Sequence, residues 1–108
     1  MIVNILGTDY EIVKQTEKEN PKLADASGLC EIYSKQIIIK DYDHADSEIL
    51  DNIEVYDKET LRHEIIHAFF AESGLRSNSD YAENEELVDW IAIQFPKILK
   101  AFQEVDAL

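Results

Sequence analysis

Along the front of the chain, apolar residues come in short alternating or β-branched blocks; along the back they recur every three or four positions. "MIVNILGTDYEIVKQ" carries two β-favouring stretches around Gly7-Thr8, which predicts a hairpin or bent strand pair. Glu17 to Ser27 is polar, contains Pro21 and reads as a loop or short helix. "LCEIYSKQIIIKD" reads as two strands meeting near Ser34-Lys35, and "DYDHADSEILDN" as an acidic connector with room for a helical turn. A long helix is then expected, with Asp57 as N-cap, Glu59 in the first turn and Gly74 as its stop. "RSNSDYAEN" is a loop that can merge into a helix start. A last helix is expected from about Glu83 to Val105, broken or bent at Pro96. Strands followed by helices indicate an α+β fold rather than an alternating parallel sheet. Residues 1–108 are expected to form one domain, strand-rich over 1–56 and helical over 57–108.

The first long helix contains "LRHEIIHAFF". At helical spacing Thr60, His63, Glu64, His67 and Ala71 share one stripe, while Leu61, Ile65, Ala68 and Phe69 lie on roughly the opposite side. Two imidazoles one turn apart can reach the same Zn²⁺, and a catalytic zinc needs a third protein ligand plus an open position. Glu64, adjacent to His63, is placed instead as a general base toward water. The competing reading of these letters is a solvated face of an amphipathic helix, so the third ligand matters.

Position 73, six beyond His67, is Ser73. His44, the remaining histidine, sits in the acidic connector and reads as a solvated loop residue. In "ENEELVDWIA" Glu85 and Asp89 are four apart and share a face, so one can bind metal while the other orients a histidine. Glu83 and Glu86 compete for the same roles. The other stripe, Leu87, Ile91 and Phe95, is expected in the core, with Trp90 at its border.

HEIIH followed by NEELVD resembles the gluzincin branch of zinc peptidases, with its HExxH and N-E-x-x-x-D patterns. The order of elements is similar to that of minigluzincin and ImmA/IrrE-like domains. "LRHEIIHAFFAESGL" with "NEELVDWIAIQFPKI" also resembles metallopeptidase-like proteins encoded by phages and prophages. The resemblance implies a zincin-like fold in which a small antiparallel or mixed sheet precedes an HExxH helix and a ligand-bearing C-terminal helix. It places Zn²⁺ on His63, His67 and Glu85, with Glu64 as general base and Asp89 and Asn84 bracing the ligands. Larger gluzincins add a later Tyr or His that steadies the oxyanion; here Tyr81 is the only later residue of either type. The implied function is hydrolysis of peptide bonds in a specific bacterial or phage protein. The alternative is a metal-binding structural or regulatory module with little catalysis, and a third reading is a metal-free interaction domain.

Composition narrows the setting. A net charge of −13 disfavours binding to nucleic acid or an anionic membrane; it reads mainly as solubility, with a basic substrate or partner as the alternative. The single Cys30 has no internal disulfide partner and reads as a small buried hydrophobe. No stretch has the pattern of a secretory signal or membrane span, so a cytoplasmic setting in a bacterial host is expected. "QIIIK" reads as a core strand, with a sheet-edge role as the alternative. Trp90, Phe95 and Phe102 read as core or as a partner surface. Oligomeric state leaves no sign in the sequence.

Overall fold

The computed structural model describes residues 1–42 and 52–108; His44 and the helical turn expected in the acidic connector lie outside the described residues. Four strands form a mixed sheet: β1 (Ile2–Ile5), β2 (Thr8–Gln15), β3 (Gly28–Glu31) and β4 (Gln36–Lys40), in the order β1-β2-β4-β3. The β1–β2 hairpin turns through Leu6 and Gly7, with Ile5 opposite Thr8. Both turn residues have positive φ, 51° and 95°, as a two-residue loop matching the strand twist requires. β2 pairs with β4 in parallel, reached through a 3-10 turn at Pro21–Ala24 and through β3, which is antiparallel to β4. "QIIIK" therefore lies inside the sheet, and the edge strands are β1 and β3.

Helix α1 (Ile53–Glu72) lies across one face of the sheet. Ile5, Tyr10, Ile37 and Ile39 form the core with Ala68, flanked by Cys30, Leu61 and Ile65. The period of two in β4 sends Ile38 to the other face, where it is buried too. The cap of α1 is Asn52, whose side chain accepts from the Val55 N–H, and not Asp57. Asp57 falls a turn later and pairs with Lys14 at 2.9 Å. Both positions offer capping chemistry, and the earlier one wins because the helix begins there. Gly74 ends the helix as expected, with φ of 83° after Ser73. Phe69 is 42% exposed and not in the core: the i+4 row from Leu61 drifts around the helix, and Ala68 takes the position facing the sheet.

After a short helix α2 (Leu75–Asn78) and a 3-10 turn (Asp80–Glu83), helix α3 (Glu85–Glu104) packs on α1. Its buried residues are Val88 and Ala92, while Phe95 and Trp90 are 47% and 56% exposed. The expected core row of Leu87, Ile91 and Phe95 is thus displaced by one residue. The reason is geometric. Carboxylates facing α1 must ride on the face of α3 that packs against α1, so the polar and buried stripes coincide instead of opposing one another.

Helix α3 also continues through Pro96 without a break. Proline has no N–H for the carbonyl four residues back, here that of Ala92. The Arg62 Nε–H from α1 donates to that oxygen at 2.6 Å and replaces the missing bond. No helix of the described residues is long and apolar enough to cross a membrane.

Candidate metal centre

Two helices supply the centre. His63 and His67 stand one turn apart on α1, with ring centroids separated by 4.8 Å. Glu85 is the first residue of α3, immediately after the cap Asn84, whose side chain accepts from the Leu87 N–H at 2.8 Å. Asn84 thus fixes where the helix starts and so where Glu85 stands.

His63 Nε2 is 2.9 Å from Glu85 Oε2 and 3.1 Å from His67 Nε2, and His67 Nε2 is 3.1 Å from Glu85 Oε1. On its other side, His63 Nδ1 lies 3.2 Å from Asp89 Oδ1. Both ring nitrogens of His63 face carboxylate oxygens, and in the neutral tautomer that donates from Nδ1 to Asp89 the Nε2 presents a lone pair. That lone pair faces a carboxylate oxygen and a second imidazole nitrogen. Acceptors converge in this way when a proton or a cation lies among them. Ligand atoms held tetrahedrally at about 2.0–2.1 Å from one ion lie about 3.3 Å apart, close to the separations found here. His63, His67 and Glu85 could hold a metal ion. Glu83 and Glu86, the competing carboxylates, are not in this group; Glu83 pairs with Arg76 at 3.3 Å.

Glu64 is the one buried charged side chain among the described residues, 6% exposed. A Cβ placed on Gly28 of β3 would come within 2.8 Å of Thr60 Cγ2 and 3.0 Å of Glu64 Cγ, so only glycine lets α1 approach the strand here. Glu64 is thus pressed between helix and sheet, and no hydrogen bond from the described residues reaches its carboxylate. Burial pushes its carboxyl up to about 7; the negative charge of Glu85 adds to this and His63 opposes it. Burial also lowers the pKa of His67, against the attraction of Glu85, which favours the neutral, metal-binding form of the ring.

These groups line a cavity of about 700 Å³ together with Gly28, Leu29 and Cys30 of the edge strand β3. Burial, with the charge of Glu64 adding, pushes the Cys30 thiol up to about 12, which makes it a poor nucleophile; the side chain packs against the core but is half-buried rather than buried. Tyr56 and Arg76 also line the cavity, whereas Tyr81 and Asn84 do not. Tyr81 is half-exposed, edge-on to Phe70 at 6.4 Å. Gly28, Tyr56 and Arg76 are among the contributors that escaped the sequence reading. Gly28 had a signal, since an isolated glycine in a strand often marks a close approach. Tyr56 and Arg76 had none.

Compared with protein-family models, curated proteins and solved structures, the chain matches none of them.

Proposed function

We propose that this chain is a minimal zinc peptidase of the gluzincin type, acting on a specific protein of bacterial or phage origin. The observation that carries the reading is the convergence of His63, His67 and Glu85 in one cavity that the largely buried Glu64 also lines. Two imidazoles and a carboxylate suit Zn²⁺, and Asp89 holds the His63 tautomer that ligation needs. When bound, the ion would supply Lewis-acid polarisation of a carbonyl and make water more acidic. Glu64 takes a proton from the attacking water and returns it to the leaving amine.

The edge strand β3 borders the cavity and, among the described residues, pairs only with β4, so an extended substrate can add to the sheet there. Asp25 and Glu59 also line the cavity and pair with no cation among the described residues, which favours a basic side chain next to the scissile bond. One observation favours the second reading, a metal-holding interaction module with little chemistry. Among the described residues, the two cavity-lining side chains that could steady an oxyanion already have protein partners: Arg76 Nε lies 3.3 Å from Glu83, and the Tyr56 hydroxyl shares a hydrogen bond with Ser27 Oγ.

Glu64→Gln separates the two. Under the peptidase reading it keeps about one zinc per chain and loses about 10²–10⁴-fold in cleavage of a defined substrate. Unchanged cleavage would remove Glu64 from the mechanism, and a wild type without zinc after supplementation would remove both readings. Glu85→Ala is expected to lose the metal.

A further inference from the structure

The site is split between two helices, so its geometry is set by how α3 sits against α1. We infer that Arg62 and Pro96 form a clasp that sets this approach, making Arg62 a positioning residue for the metal centre. The inference rests on the metal reading for its consequence, but the clasp itself is a contact between the two helices.

The chemistry of the clasp is specific. In an uninterrupted helix the Ala92 carbonyl would be taken by the N–H of residue 96, and a side chain from a neighbouring helix would have little to gain there. Pro96 removes that donor and leaves an acceptor in mid-helix. Ala92 is fully buried, so water is a poor substitute, and an unmet carbonyl there is costly. Arg62 meets it at 2.6 Å with a charged donor.

Position decides the consequence. Arg62 directly precedes His63. Ala92 lies three residues beyond Asp89 and seven beyond Glu85, on the face of α3 that carries both carboxylates toward α1. Val88 and Ala92, both fully buried, allow close contact between the helices, and apolar contact of this kind has no preferred direction. The Arg62 bond beside His63 adds a directional contact between the helices outside the candidate ligands themselves. The proline thus creates the vacant acceptor, and the arginine uses it to register one half of the site against the other.

The decisive experiment separates registering the helices from merely satisfying a buried carbonyl. Arg62→Met keeps the aliphatic stem and removes the donor; Pro96→Ala restores an N–H for Ala92. Arg62→Met is expected to lower the melting temperature, to weaken Co²⁺ binding by about tenfold and to change the visible Co²⁺ spectrum. In the double variant Arg62→Met/Pro96→Ala the melting temperature recovers, but Co²⁺ affinity and spectrum stay altered. If the double variant regains both, Arg62 only satisfies the carbonyl and the inference falls. A metal-free readout runs alongside. Nuclear Overhauser contacts between the His63 ring and the Asp89 Hβ atoms are expected in wild type and weakened in the double variant. A wild type that takes up no Co²⁺ overturns the metal reading and leaves those contacts to decide the clasp. Their persistence in the double variant would overturn it.

Discussion

Glu72 shows how much one side chain can organise away from the metal centre. At the last turn of α1 it accepts from Lys35 Nζ at 2.7 Å, from the Tyr10 hydroxyl at 2.8 Å and from Thr8 Oγ1 at 3.2 Å. Tyr10 is fully buried, and its hydroxyl needs such a partner. The Lys35 bond first and the Tyr10 bond second hold the Glu72 carboxyl below the usual carboxylate range. A depressed folded-state pKa stabilises the protein fully above the unfolded value and ceases to do so as pH falls through the folded one. Glu72→Gln is therefore expected to lower the melting temperature at pH 7, with the gap to wild type closing below about pH 4. Thermal melts of both proteins across that range check it; a gap that widens in acid would contradict the assignment. None of these contacts was legible in the sequence, because Thr8, Tyr10, Lys35 and Glu72 lie on elements far apart in the chain. His63, Glu64 and His67 were legible because one helix sets their spacing.

At the scale of elements, the strands and both long helices followed from periodicity, while the faces they bury did not follow as reliably. Phe95 was expected in the core and Phe69 on the apolar side of its helix, and both are substantially exposed. Periodicity places residues on a common stripe, but which stripe meets a neighbour depends on that neighbour. Gly28 is the clearest case of one element constraining another. Gly28→Ala puts a methyl group against Thr60 and Glu64, so α1 must lift from β3 or β3 must peel from the sheet. The expected loss is about 1–3 kcal/mol. In a domain of this size that lowers the melting temperature by roughly 4–20 °C. A melting temperature equal to wild type would show that the strand edge yields without strain.

For the whole molecule, the candidate metal centre joins α1 to α3, and β3 of the sheet lines the same cavity. A ligand that binds only the folded chain stabilises it by about 2.7 kcal/mol at a hundred times its dissociation constant. Zn²⁺ or Co²⁺ at that excess is expected to raise the melting temperature by about 10–20 °C. His63→Ala should abolish the rise. An equal rise in that variant would mean the ion binds elsewhere, on the strongly acidic surface.

The sequence by itself determined the α+β order, a turn close to Gly7 and the pairing of two imidazoles at one-turn spacing, because each depends on neighbours within a few residues. It also identified Glu85 and Asp89 as a pair on one helical face. Only the tertiary structure decided that this face packs against α1, that Glu64 is buried beneath Gly28, and that Arg62 meets the carbonyl left open by Pro96. Those outcomes depend on how closely separate elements approach, and local periodicity carries no information about that distance.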